Sequence, residues 1–275
     1  MKIAIFADSR LGVVEGDIIY DVGSAVGWDR EQPQCSLTRL ISDFGAVRAA
    51  IAEALPAAPR YRLAETALRP PVPTPSKIVA APVNYISHKQ EMNQELTVRR
   101  LGVFLKAPSS IIGPGATIRL PFSDRRTDHE AELAFVVGRM AKDVPAEQAA
   151  DYIFGYLGLM DITVRGPEER PMRKSYDTFT PIGPWLVTAD EVEDPHALDI
   201  RLWVNDELRQ SANTREMIAD CYELLALASS VMTLYPGDIV TTGAPEGVGP
   251  IQSGDQVRLW IERIGEFTVD VAMKG

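Results

Sequence analysis

Histidine and cysteine are scarce in this chain of 275 residues. Only His88, His129 and His196 carry an imidazole, too scattered a set for a zinc site of three histidines. Cys35 and Cys221 are the two thiols. Their distance in sequence leaves no CxxC redox or zinc pair, and two thiols make no framework of several disulfides. Any metal must therefore be held by carboxylates. An excess of basic charge is missing as well: 28 Lys and Arg stand against 38 Asp and Glu, a formal net charge of -10, which argues against the broad basic face of a nucleic-acid binder. No stretch approaches the run of about 18 uncharged apolar residues that a membrane span needs, and the opening MKIAIFAD is too short an apolar run for a signal peptide. The expectation is a cytoplasmic protein with neither nucleic acid nor membrane as partner.

What is present is ordinary core material, 45% hydrophobic residues, in a chain long enough for one large domain or a large one and a small one. Residues 1–7 alternate as a strand does, and 11–14 and 17–22 flank Glu15 and Gly16, a turn-prone pair that suits a hairpin. From Ser36 the apolar positions Leu37, Leu40, Ile41, Phe44, Val47, Ile51 and Leu55 follow helical spacing up to Pro56, which predicts one helix over a small opening sheet. The proline-rich stretch 68–77 favours an extended link. The domain boundary is placed there, with a small N-terminal α/β domain over 1–70 and a larger domain over 71–275. Beyond it strand signals dominate, at 77–81, 102–106, 130–138, 183–188, 198–204, 207–211, 238–242, 256–262 and 266–272. Helical patterns interrupt them at 86–99, 146–153 and 218–234. No repeat and no regular βαβ alternation appears, so the fold class is α+β and β-rich, with antiparallel pairing common, rather than a Rossmann fold or a TIM barrel.

The segment 128–138, DHEAELAFVVG, is the most informative. Strand alternation puts Glu130, Glu132, Ala134 and Val136 on one face and Ala131, Leu133, Phe135 and Val137 on the other. A strand covered on both sides that begins with two like charges about 7 Å apart must leave them at an exposed end or compensate them. A solvated strand end and a divalent cation both satisfy that pattern. Asp161 lies inside FGYLGLMDITVR at 154–165, an apolar run that reads as a buried strand. Its partner is a cation, a buried arginine or a backbone donor. Three carboxylates form the oxygen shell that Mg²⁺, Mn²⁺ or Ca²⁺ prefers.

His88 and Glu91, in NYISHKQE at 84–91, share a helix face at i and i+3, the arrangement of a general base and its orienting carboxylate and equally of an exposed charge pair. Lys174 follows a charged loop and precedes a turn fixed by a glycine and two prolines. It reads as a partner for substrate charge or as a solvated loop lysine. In TTGAPEGVGP at 241–250, a glycine-rich loop without the ending of a nucleotide P-loop, backbone N–H groups and the hydroxyls of Thr241 and Thr242 can cradle a carboxylate, or form a tight structural turn.

These stretches, in this order, resemble the fumarylacetoacetate hydrolase family, whose catalytic domain carries an Asn-Tyr-x-x-His segment, a Glu-x-Glu-Leu pair, a later Asp and Lys, and a Thr-Gly-x-Pro-x-Gly-Val-Gly loop. FLKAPS at 104–109 and GPG at 113–115 add to the resemblance, which covers residues 77–272. It implies that Glu130, Glu132 and Asp161 ligate Mg²⁺ or Mn²⁺ (Ca²⁺ in a crystal), that His88 with Glu91 activates water, and that Lys174 stabilises enolate charge. Arg165, Thr242 and Gly243 are the expected contacts to a small keto-acid substrate, and Arg165, Arg170 and Arg173, on the loop before Lys174, are candidates for binding a second substrate carboxylate. The resemblance also implies a mixed β-sandwich roll, a homodimer, and a segment around His88 that acts as a lid. The expected activity is metal-dependent hydrolysis of a C–C bond in a 1,3-diketo acid of acylpyruvate or fumarylpyruvate type. The alternative is an isomerase or decarboxylase of a dicarboxylic ring-cleavage product using the same metal site, and a catalytically silent binding protein is the reading from another class. Two departures stand out: Ala244 where many relatives have threonine, and Gly166 where an aspartate is usual.

Overall fold

At the centre of the computed structural model, which describes all 275 residues, lies the strand Ala131–Val137, buried along its whole length. It pairs antiparallel with Ile153–Met160 on one side and Ile239–Thr241 on the other. The sheet extends from Ile153–Met160 through Thr180–Thr188 to Lys2–Phe6, Arg10–Glu15, Ile18–Asp21 and Arg60–Arg62, and from Ile239–Thr241 to Ile78–Ala80 and Phe104–Lys106. The opening strands thus continue the large sheet through the pairing of Lys2–Phe6 with Thr180–Thr188. A second sheet of five strands, Glu207–Asn213, Asp199–Val204, Gln256–Ile261, Gly265–Met273 and Thr117–Leu120, packs against the first. The result is the mixed, β-rich α+β architecture expected, without a βαβ barrel or doubly wound sheet.

Alternation along the central strand sorts its side chains as the sequence predicts. Leu133, Phe135 and Val137 enter the larger core, shared with Ile200, Leu202, Leu259 and Phe267 of the second sheet. Ala134 and Val136 enter a second core, shared with Ile3, Leu37, Leu40 and Ile41. The helical stretch that supplies the last three is two helices, Pro33–Ser42 and Phe44–Ala54, rather than one. Asp43 breaks it with φ -111 and ψ 25, and the break sets the Phe44 ring edge-on to Phe154 at 4.8 Å. The pattern at 86–99 likewise forms two pieces, Ile86–Glu91 and Val98–Leu101, because Asn93 adopts a positive φ of 47 that ends helical continuity. Residues 146–152 form a 3-10 turn, and the last pattern narrows to Cys221–Val231, capped by the Asp220 carboxylate on the N–H groups of Tyr222 and Glu223. No helix is long and apolar enough to cross a membrane.

Two departures from sheet regularity place the site. The apolar run expected as one buried strand stops at Met160, and after Asp161 and Ile162 the chain resumes as Thr163–Val164 in a separate three-stranded sheet with Thr127–His129 and Gly249–Ile251. The neighbouring chain makes the same transfer at Glu130, between Thr127–His129 and Ala131–Val137. The two corners are bonded, the Asp161 N–H donating to the Glu130 carbonyl at 2.8 Å. The side chains of Glu130 and Asp161, one from each corner, line the same cavity.

Gly155, near the other end of Ile153–Met160, shows how closely this strand approaches Thr180–Thr188. A Cβ there would stand 2.2 Å from the Val187 carbonyl oxygen, a backbone contact that no rotamer change relieves. Gly155→Ala is expected to lower the unfolding free energy by about 1–3 kcal/mol, read from the urea midpoint. An unchanged midpoint would show that the strand pair yields at little cost.

Candidate active site

Glu130, Glu132 and Asp161 are all buried, and one carboxylate oxygen from each lies within 4.8 Å of the others. Oxygens on opposite sides of a single ion stand roughly 4–5 Å apart for Mg²⁺ to Ca²⁺, so the three can close on one cation with small side-chain adjustment. Each is held. Glu132 Oε2 accepts the Gly243 N–H at 2.8 Å and the Thr241 hydroxyl. Lys174 Nζ donates to Glu130 Oε2 at 2.7 Å, to Asp161 Oδ2 at 2.6 Å and to Thr163 Oγ1 at 2.6 Å. Asp161 Oδ1 accepts from Lys106 Nζ, which also reaches the Phe179 carbonyl at 3.0 Å. Arg165 spans Asp128 at 2.6 Å and Glu130 at 3.3 Å, while Arg126 takes the other oxygen of Asp128 at 2.6 Å.

The charges show what the cluster wants. With every group ionised, as metal binding requires of the carboxylates, the three carboxylates against the two buried ammonium groups of Lys106 and Lys174 leave one negative charge. A divalent cation turns that into one positive charge, which suits an anionic substrate. Burial and the adjacent Asp161 push the Glu132 carboxyl well above the usual carboxylate range. Glu130 meets the same burial, but Lys174, Arg165 and His88 together bring it below its ordinary value. Burial pulls down both lysines. For Lys106 it prevails, whereas Asp161 and Glu130 more than reverse it for Lys174. With hard oxygen donors only, the site fits a divalent cation of the Mg²⁺, Mn²⁺ and Ca²⁺ group.

Across a cavity of about 300 Å³ from the carboxylates stands His88. Its Nδ1 lies 3.0 Å from Glu91 Oε2, and Glu91 Oε1 accepts the Gly247 N–H at 3.0 Å. A carboxylate at Nδ1 keeps the proton there and leaves Nε2 free as a base. Asn84, fully buried, anchors the segment: its amide donates to the carbonyls of Ala219 and Thr242 and accepts the Ala219 N–H, all at 2.8 Å. The dyad is assembled in this structure.

Arg165, Arg170, Arg173 and Lys174 line the same cavity. Thr242 and Gly243, expected against substrate, face inward instead. The Thr242 hydroxyl donates to the Leu133 carbonyl at 2.9 Å, the Gly243 N–H serves Glu132, and Ala244 is the loop residue that lines the cavity. The sequence reading missed Lys106. Its signal was there, a lysine at the inner end of the short strand Phe104–Lys106, but no local pattern names Asp161 as its partner.

Comparison with known proteins agrees with this geometry. The family model described as fumarylacetoacetate (FAA) hydrolase, C-terminal, matches residues 77–272. A maleylpyruvate hydrolase of Aquipseudomonas alcaligenes is 45% identical, over 98% of this chain and 99% of that protein. The crystal structure of a maleylpyruvate hydrolase from Sphingobium sp. SYK-6 in complex with manganese(II) and pyruvate superposes with a TM-score of 0.92 at 46% identity, covering 100% of both chains. A 2-hydroxyhepta-2,4-diene-1,7-dioate isomerase from Mycobacterium marinum matches with a TM-score of 0.79 at 32% identity, over 100% of this chain and 99% of the other.

Proposed function

The chain belongs to the fumarylacetoacetate hydrolase family, and from that premise we propose that it is a divalent-metal-dependent hydrolase of acylpyruvates, cleaving a 1,3-diketo acid to pyruvate and a carboxylic acid. The observation that carries this reading is the placing of an assembled His88–Glu91 dyad and a buried triad of carboxylates around one cavity. The manganese(II) and pyruvate held by the 46% identical relative support the same chemistry. The ion proposed is Mn²⁺ or Mg²⁺, held by Glu130, Glu132 and Asp161, and the assembly proposed is a homodimer, tested by sedimentation.

A divalent cation held by Glu130, Glu132 and Asp161 would supply Lewis acidity at the pyruvyl end of the substrate. The protein's own groups do the rest. His88 Nε2 removes a proton from water, which adds to the distal carbonyl carbon, while Glu91 holds the imidazole and offsets its positive charge. The bond between that carbon and the adjacent methylene then breaks, leaving the acid and the enolate of pyruvate. Lys174, whose three donors go to Glu130, Asp161 and Thr163, offsets the enolate charge as a buried ammonium beside the cavity, and the proton on His88 returns to the methylene carbon. One water is consumed, and no redox partner is needed.

The arginines support a substrate with a second carboxylate. Arg165 is committed to Asp128 and Glu130. Arg170 and Arg173 line the cavity without a carboxylate partner, the Arg173 Nε donating only to the Glu168 carbonyl at 2.6 Å. Burial and the charges of Arg165 and Arg170 pull the Arg173 guanidinium below its usual value, the mark of positive charge not yet neutralised. A charge-assisted hydrogen bond is worth about 1.5–3 kcal/mol. Arg173→Gln is therefore expected to raise KM for fumarylpyruvate or maleylpyruvate by roughly 10- to 150-fold and to leave KM for acetylpyruvate, which has no second carboxylate, unchanged. Equal effects on both substrates would remove the arginine from this role.

The founding experiment is a turnover assay with acetylpyruvate and fumarylpyruvate in the presence of Mn²⁺, Mg²⁺ or EDTA. Loss of diketone absorbance with stoichiometric pyruvate, abolished by EDTA and restored by Mn²⁺, is the expected outcome. A change of absorbance without cleavage, or release of CO₂, would move the protein to the isomerase or decarboxylase branch.

A further inference from the structure

We propose that Gln210, a buried residue of the second sheet that touches neither cavity nor substrate, is a positioning residue that holds the carboxylate centre and the His88–Glu91 dyad in register with each other. Its side chain is 1% exposed, and its amide is fully used. Oε1 accepts the Ala131 N–H at 2.9 Å and lies 3.1 Å from His129 Nδ1. Nε2 donates to the carbonyls of Pro245 at 2.9 Å and Glu246 at 3.3 Å. The orientation of the amide is fixed from both ends, since a backbone N–H requires the oxygen and two carbonyls require the nitrogen. His129 and Ala131 flank the proposed ligand Glu130. Pro245 and Glu246 precede Gly247, whose N–H holds Glu91.

The loop between these points reaches both halves of the site. At its start the Gly243 N–H holds Glu132, and at its far end the Gly247 N–H holds Glu91. Between them Gln210 pins the loop to His129 and Ala131, on either side of Glu130 and at the start of the strand that bears Glu132. The second sheet is shaped for the task. In the hairpin of Asp199–Val204 with Glu207–Asn213, Leu202 pairs with Gln210 and Trp203 with Leu208, so Arg209 is an extra residue. A bulge of this kind re-aims the side chains beside it. Gly247 rests on that bulge with φ +87, and a Cβ there would stand 2.1 Å from the Arg209 carbonyl oxygen. Only glycine allows the loop to lie so close, at the height where its N–H meets Glu91.

The proposal rests on the dyad acting as the base and its holder, and two variants separate it from that reading. Gln210→Glu keeps an acceptor for Ala131 but replaces the donor facing Pro245 and Glu246 with an oxygen that repels their carbonyls. Gln210→Met preserves volume and removes every hydrogen bond, and carries the same test if the glutamate variant does not fold. Hydrogen exchange on the whole protein without substrate is the first readout. Faster exchange is expected for 243–249 and for 85–101 in Gln210→Glu, with 131–137 unchanged. The second is a double-mutant cycle on kcat with Glu91→Ala, which removes the acceptor of the Gly247 N–H. Gln210→Glu alone is expected to lower kcat by about 10- to 100-fold, and to lower it no further once Glu91 has been changed. Unaltered exchange in both segments, or multiplicative effects on kcat, would overturn the proposal. If the unmodified protein turns over no acylpyruvate, the hydrolase reading fails by itself, and the exchange experiment still decides whether Gln210 holds the loop.

Discussion

His88→Ala is expected to lower kcat for acylpyruvate hydrolysis by about 10²- to 10⁴-fold, the range that a positioned general base contributes, while Mn²⁺ binding measured by calorimetry stays as it was. The separation follows from geometry. His88 faces the cavity from the helix Ile86–Glu91, whereas Glu130 and Asp161 stand at the sheet corners and Glu132 on the strand Ala131–Val137. Glu91→Gln should lie between the two proteins in rate. Its one amide oxygen can serve the His88 Nδ1–H or the Gly247 N–H but not both, and the negative charge that offsets an imidazolium is lost. Full hydrolase activity in His88→Ala would sink the proposed mechanism. Metal-assisted decarboxylation needs no activated water, so a surviving decarboxylase activity in the same variant would identify the other branch of the family.

Asp161→Asn should have the largest effect on both binding and stability. Changing groups that merely orient a metal ligand costs roughly 10- to 100-fold in affinity, and loss of the ligand's own charge should exceed that in a Mn²⁺ titration. Asp161 also sits between two buried ammonium groups, accepting from Lys106 on one oxygen and from Lys174 on the other. Breaking such a buried pair costs about 3–5 kcal/mol because a charge is left without its partner. Urea unfolding of the metal-free protein should show a loss of that order. Adding Lys106→Met to the variant should recover part of it, since the stranded ammonium then goes too. A double variant less stable than Asp161→Asn would mean that the Lys106 link to the Phe179 carbonyl matters more than its charge.

The three carboxylates stood out because their signals are local, although that pattern left a solvated strand end or another buried partner open and the family resemblance alone joined the three into one site. Two glutamates alternating on a strand whose both faces turn apolar, and an aspartate inside an apolar run, are anomalies within a dozen residues each, and burial makes such anomalies informative. The order of the sheets was not legible in the same way. Thr163–Val164 continues the apolar pattern of Ile153–Met160, so hydrophobic periodicity cannot show that the chain changes sheets at Asp161. The partners of Asp161 were hidden for a similar reason: Lys106 lies 55 positions away and is brought in by the parallel pairing of Ile78–Ala80 with Ile239–Thr241 and its antiparallel neighbour Phe104–Lys106. Thr242 misled because a hydroxyl in a glycine-rich loop suggests a ligand. Its place directly after Ile239–Thr241 turns it onto the Leu133 carbonyl of the adjoining strand instead.

The five-residue helix Arg170–Lys174 and the turn before it hang between Thr163–Val164 and Thr180–Thr188, outside every sheet. Lys174, at its inner end, is bonded to three groups of the centre, while Arg170 and Arg173 line the cavity without a carboxylate partner. Inheritance can therefore act on the two ends of this segment separately. Exchanging residues 166–173 alters what an anionic tail meets and leaves the bond-breaking end and the folding core almost untouched, because surface connections tolerate replacement far better than paired strands. A lineage, or a directed-evolution library confined to those eight positions, has in this segment a short route from one keto acid to another without rebuilding the chemistry.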